Sequence, residues 1–316
     1  TISRNGDLIY RSYLNVICSN TPTLAQATNP GSAWIDAITL EIGGQQIDKH
    51  SGLWLETWAE LTEPNPTGLV CLSKGSQDLP VAGTLFQGMS GMGGVAKGGS
   101  DSYKRNLWIP LRFSFCRSPG LALPLIALQY HEVKITLDHH IELIAAGTVT
   151  NDLCIEYIYL DTDERRRFAQ VSHEYLIEQV QEQAIPSSTS SVDLSFNHPV
   201  KELIWVKSQG NIGTTTYTEL SHPAHGTTKF QLKLNGHDRF EAHASPYFTR
   251  TQVWQYHSGI GGLKSSQNSN NNGSANDSIH VYSFALRPEE HQPSGTCNFS
   301  RIDSAELCSI GYTFAV

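Results

Sequence analysis

The chain has 316 residues, 39% of them hydrophobic and 16% charged, with a formal net charge of −8 at pH 7. That length suits two ordinary domains, each able to bury its own core. The acidic balance argues against a dedicated nucleic-acid binder, which carries a basic excess, so no direct contact with a genome is expected. Gly, Ser, Thr and Asn are abundant and long amphipathic helical patterns are nearly absent, which points to an all-β chain with many turns.

In chain order, Leu8, Tyr10, Ser12 and Leu14 alternate with Ile9, Arg11, Tyr13 and Asn15, a strand pattern, and TPTLAQATNPGS is a loop by composition. In ITLEIGGQQIDKH, Ile38, Leu40 and Ile42 share one strand face, Gly43-Gly44 makes a tight hairpin turn, and Gln45 to His50 begins the return strand. Trp54, Leu55, Trp58 and Leu61 then recur at helical spacing, the stripe of a core-facing helix and not of a ligand platform.

Residues 62–102 are rich in Gly, Ser and Pro and read as a long surface connection. Their GMGGVAKGGS lacks both the P-loop spacing and a strand-to-helix setting, so nucleotide binding is not expected. The densest β signal follows in NLWIPLRFSFCRSPGLALPLIALQYHEVKITLDH, where Trp108, Pro110, Arg112 and Ser114 lie opposite Ile109, Leu111, Phe113 and Phe115. Pro110, Pro119 and Pro124 belong at strand starts, edges or turns, because none can donate to a ladder.

The stretch Tyr157 to Gln183 reads as strand, short helix, strand. Asp161 stands three residues before Glu164, capping-box spacing, and DERRRFAQ carries acid early and base late, which suits the helix dipole. About two turns long, this helix is expected to be packed against neighbours, and a second strand is expected over Tyr175 to Val180. Arg165, Arg166 and Arg167 lie beside Asp161, Asp163 and Glu164, so their reading is structural, pairing carboxylates across a junction, and not a phosphate site.

The second half repeats the first in outline. Phe230-Gln-Leu-Lys-Leu-Asn-Gly-His answers Ile38-Thr-Leu-Glu-Ile-Gly-Gly-Gln, and IHVYSFALRPEEHQPSGTCNFSRID answers NLWIPLRFSFCRSPGLALPLIAL, each copy preceded by a long polar loop. The fold expected is therefore two sandwiches in tandem: residues 1–160, a linker with a short helix at 161–172, and residues 173–316.

Cys18, Cys71, Cys116, Cys154, Cys297 and Cys308 are scattered without C-x-x-C or Cys/His clustering, so free, mostly buried thiols are expected and neither disulfides nor zinc. Of thirteen histidines, the adjacent His139 and His140 face opposite ways on a strand, and His222, His225, His237 and His243 have no ligand cluster nearby. No metal, no cofactor and no catalytic residues are expected, since G-x-S-x-G, H-E-x-x-H and similar motifs are missing. A remote carboxylate pair of the glycosidase kind stays open as the alternative, with plain carbohydrate binding. Asn272, Asn276 and Asn298 each begin an N-x-[ST] sequence; the first two fall in a loop expected to be exposed, the third in a strand-rich motif where chance explains it. No apolar run in the sequence reaches the length of a membrane span, and no signal peptide is expected in it.

ITLEIGGQQIDKH, residues 107–133 and LDTDERRRFAQVSHEYLIEQ stand in the same order in the major capsid proteins of nucleocytoplasmic large DNA viruses of algae and amoebae, which this chain closely resembles along nearly its whole length. The resemblance implies two eight-stranded jelly rolls joined by the 161–172 linker, no enzymatic activity, and a homotrimer presenting six jelly rolls as a pseudo-hexagonal capsomer. Implied partners are neighbouring capsomers and minor capsid and penton proteins. The place implied is the virion capsid, assembled in host cytoplasm, with the chain outside any internal viral membrane beneath the shell. The Gly- and Asn-rich loops at 88–102 and 264–278 are expected at the exposed crown. Against that family the first strand of the first jelly roll and the closing strands of the second are expected to be missing, so that the sequence covers part of a longer product.

Overall fold

A computed structural model describes residues 1–19, 29–64, 84–93, 106–140, 148–186, 189–209, 219–221, 228–259, 261, 264–265, 275–276 and 279–311. They form two compact units, Thr1–Leu55 with Thr84–Val180, and Glu56–Gly83 with Gln181–Val316.

In the first unit the strands are β1 (Leu8–Ser19), β2 (Ile35–Ile42), β3 (Gln45–Ser51), β4 (Asn106–Pro110), β5 (Leu123–Pro124), β6 (Val133–His139) and β7 (Thr148–Ile158). Among the described residues of this unit the pairings are antiparallel and make two sheets, one with β1 joined to β4, β5 and β7, the other in the order β3-β2-β6. A register shift against β7 between Ile9 and Ser12 interrupts the alternation of β1, which buries Leu8 and Ile9 before it and Ser12, Leu14, Asn15 and Val16 after it. One extra residue in a period-two element has that effect, so simple alternation along the whole strand is not kept. β4 buries Leu107 and Ile109, and the same face continues past the strand's end through Leu111, Phe113 and Phe115. Pro110 ends that strand, Pro119 opens a 3-10 turn, and Pro124 sits in the two-residue β5, positions that need no donor.

The Gly43-Gly44 turn has φ of 59° and 81°, both in the left-handed region that a tight two-residue hairpin requires. After β3 the helix Gly52–Thr62 buries Leu55, Trp58 and Leu61 but leaves Trp54 half-buried. The connection 62–102 is not wholly irregular, because a helix spans Leu85–Ser90. Its capping box is complete: Thr84 Oγ1 accepts the Gln87 N–H at 3.2 Å and Gln87 Oε1 accepts the Thr84 N–H at 2.9 Å. The start of the expected crown loop 88–102 is also partly interior, since Ser90 and Met92 are buried. Gly31 donates its N–H to Gly91 O at 3.1 Å, and a Cβ on Gly31 would lie 1.9 Å from Ser90 O. The rest of that loop and most of 264–278 lie outside the described residues.

In the second unit the strands are β8 (Ser191–Asp193), β9 (Pro199–Val200), β10 (Glu202–Gln209), β11 (Glu219–Ser221), β12 (Lys229–Leu234), β13 (His237–Asp238), β14 (His243–Ala244), β15 (Lys264–Ser265), β16 (Ala275–Asn276), β17 (Ile279–Ser283), β18 (Cys297–Asn298) and β19 (Ala305–Ile310). β10 pairs β17 as β1 pairs β4, and β12 pairs β19 as β2 pairs β6. The β12–β13 turn repeats the first hairpin, with Asn235 at φ 51° and Gly236 at φ 75°. A helical stretch, Tyr247–Tyr256, again follows the hairpin. Val192, Leu203, Trp205, Phe230, Leu232, Phe248, Phe299, Ala305 and Leu307 form the core of this unit. Trp205 is its centre, with its ring 5.4 Å from Phe230, 5.2 Å from Phe248 and stacked on His280 at 5.4 Å.

Candidate functional site

The linker is built from Asp161 outward. Its side chain accepts the Glu164 N–H at 2.8 Å, its own carbonyl accepts the Arg165 N–H at 2.9 Å, and helix Thr162–Gln170 follows. Asp163 and Glu164 lie in the first turn and Arg167 in the last, the arrangement that the helix dipole favours. Val171 closes the helix by donating to Arg167 O at 3.1 Å, and His173 Nε2 donates to Phe168 O at 2.9 Å while the two rings stack at 4.8 Å.

This helix buries no residue, contrary to the packing expected of so short an element. It is held by its caps and by Asp7, a residue that sequence reading passed over. Asp7 is buried, accepts the Leu160 N–H on Oδ2 at 2.9 Å and pairs Oδ1 with Arg165 Nε at 3.0 Å. Charge-assisted bonds to both oxygens fix the point where β7 gives way to the linker. Arg166 pairs with Asp163 at 3.9 Å and in solvent, a pair of little energetic weight.

The second strand expected over Tyr175–Val180 does not form; residues 172–186 carry no strand. Glutamine side chains take over the pairing that a backbone ladder would supply. In the first unit Gln179 Nε2 donates to Ile47 O, the Val180 N–H to Asp48 Oδ1 at 3.1 Å, and Arg117 pairs with Glu178. In the second, Gln181 exchanges hydrogen bonds with the backbone N–H and carbonyl of Asn197, while Gln183 accepts the Ser195 N–H at 2.9 Å and donates to Asp193 O at 2.7 Å. A primary amide has the same donor and acceptor as a peptide group, so Gln181 and Gln183 each stand in for one ladder residue, and Gln179 supplies a donor. The regular spacing of Gln179, Gln181 and Gln183 was the available signal.

Of the sequons, Asn272 and the side chain of Asn276 lie outside the described residues. Asn298 Oδ1 accepts the Ser300 N–H at 3.0 Å, and Ser300 Oγ accepts the His198 N–H at 2.8 Å, so the asparagine and serine of this sequon are both engaged in the fold. Among the described residues, no group of three or more His, Cys, Asp or Glu side chains is placed to hold a metal ion. Cys116, Cys154, Cys297 and Cys308 are free and half-buried, and burial pushes the Cys116 thiol up to about 12, far from a reactive thiolate.

Two β-sandwiches in series, repeating one order of strands, hairpin and helix and joined through a capped helix, define a double jelly-roll protein. Residues 1–176 match the family model described as major capsid protein N-terminus, and residues 164–310 match that of the large eukaryotic DNA virus major capsid protein. The major capsid protein of Pyramimonas orientalis virus is 45% identical over 324 residues, covering 97% of this chain and 76% of that protein. That of Paramecium bursaria Chlorella virus 1 is 34% identical over 365 residues, covering 99% and 76%. The crystal structure of PBCV-1 VP54, fitted into a reconstruction of the virophage Sputnik, superposes with a TM-score of 0.72 at 32% identity, over 98% of this chain and 78% of that one. The chain belongs to the major capsid proteins of large eukaryotic DNA viruses.

Proposed function

We propose that three copies of this chain assemble into a capsomer of six jelly rolls that tiles the facets of an icosahedral shell. The chain is a structural capsid protein of the virion, and family membership sets aside the glycan-binding and glycosidase alternative. The observation that carries the trimer is the internal repeat: the β2–β3 and β12–β13 hairpins and their flanking strands pair alike, so one copy supplies two similar walls and three supply a pseudo-sixfold ring.

Within this reading the jelly rolls comprise 1–160 and 173–316, and 161–172 is the linker, with Asp161, Asp163, Glu164, Arg165, Arg166 and Arg167 as structural residues. The Asp161 cap and the Asp7–Arg165 pair support that role. Neighbouring capsomers, minor capsid proteins and penton proteins are the partners, and Asn272 and Asn276 are the candidate glycan sites. Light scattering after size exclusion tests the assembly. A trimer that persists on dilution is expected, and a stable monomer overturns it.

A further inference from the structure

Helix Gly52–Thr62 ends without a glycine cap of its own. The carbonyls of Glu60, Leu61 and Thr62, which have no partners further along the helix, accept instead from a distant turn: from the Gly261 N–H at 2.9 Å, the Gly259 N–H at 2.7 Å and Ser258 Oγ at 2.9 Å. Gly259 is required there, since a Cβ would lie 2.3 Å from Glu60 O. The residue that opens this turn is His257, whose side chain is wholly buried.

His257 Nε2 lies 3.0 Å from Glu202 Oε2 and Nδ1 lies 3.1 Å from Glu289 Oε1, with Trp58 edge-on to the ring at 6.4 Å. Glu289 also accepts the Ser258 N–H at 2.8 Å and Ser258 Oγ at 3.0 Å, so one carboxylate holds both the ring and the turn. A neutral imidazole has one donor and one acceptor and cannot serve two carboxylates; an imidazolium can. Other charged or titratable groups on the elements that meet here include Glu56, Glu60 and Glu63 at the helix, Tyr256 before His257, Lys201 beside Glu202, and Arg287, Glu290 and His291 flanking Glu289. Arg287 and Glu290 pair with each other at 3.1 Å.

We propose that His257 is a proton-dependent clasp: as an imidazolium between Glu202 and Glu289 it seats Ser258, Gly259 and Gly261 on the carboxyl end of the helix, and loss of one proton to alkaline solvent unseats them. A ring lone pair would then face a carboxylate oxygen across a contact of about 3 Å, which is repulsive. Burial works against the charged ring, but hydrogen bonds and charge from Glu202 and Glu289 outweigh it and push its pKa up to about 9. The clasp lies within one unit and does not depend on trimer formation.

Hydrogen exchange of the full chain, corrected for intrinsic rates, tests this on peptides covering 56–62 and 257–261. In the wild type their protection should fall about tenfold or more between pH 7 and pH 10 while β12 and β19 stay protected. His257→Gln and Glu289→Gln should show the low protection already at pH 7. Gly259→Ala should show it at every pH, because it blocks the seat without touching the charges. Unchanged wild-type protection across that pH range overturns the proposal even if no variant folds, and so does a His257→Gln chain protected like the wild type at pH 7.

Discussion

At the scale of single residues, two carboxylates with two partners each, Asp7 and Glu289, carry much of the local energetics. Asp7 binds a backbone N–H and a guanidinium, so Asp7→Ala removes the acceptor of the half-buried Leu160 N–H and the carboxylate partner of Arg165. A loss of about 2 kcal/mol in denaturant unfolding is expected. His257 gives stability a pH dependence whose sign is fixed. Its pKa is raised on folding, so its contribution is complete below about pH 6.5 and lost as pH climbs through about 9. The amount is on the order of 3 kcal/mol. For Glu289, burial raises the carboxyl, but hydrogen bonds from His257 and Ser258 overcome this and hold it below its ordinary value of 4.5. Its contribution is therefore present above that value and lost as pH falls below it. Urea titrations from pH 4 to pH 10 should find this pair most stabilising near pH 5–6.5, and His257→Gln should flatten the alkaline limb.

At the scale of elements, turns and caps make separable predictions. Both hairpin glycines have positive φ, but a Cβ on Gly44 meets open space and one on Gly43 would lie 2.7 Å from His131 Nδ1. Gly44→Ala should therefore cost about 1 kcal/mol of backbone strain, and Gly43→Ala distinctly more, in paired thermal melts. Asp161→Ala should weaken the linker helix by about 1 kcal/mol, visible as faster exchange over 162–170 with little change in the global melting temperature, because the helix buries nothing. Gly43-Gly44 and Asn235-Gly236 were legible from sequence because a two-residue hairpin needs φ > 0, which these residue types supply. Tyr175–Val180 was misread for a physical reason: alternation marks an extended chain, and this chain is extended, but its pairing runs through glutamine amides.

At the scale of the whole molecule, each copy carries a formal net charge of −8. The proposed trimer would form against like-charge repulsion. Raising salt from about 20 mM to about 200 mM should tighten the trimer in sedimentation equilibrium, whereas weakening would mean that attractive ion pairs dominate the interface. The sequence by itself determined the β architecture, the repeated hairpins, the capped linker helix and the family. Each of these is written in residues a few positions apart, where period, turn chemistry and capping act. Only the tertiary structure decided that Asp7 anchors the linker from 153 positions away, that Ser258 caps a helix end 196 positions away, and that His257 lies between two carboxylates. Such pairs leave no local trace, because their free energy comes from groups that meet only after the sheets have closed around them.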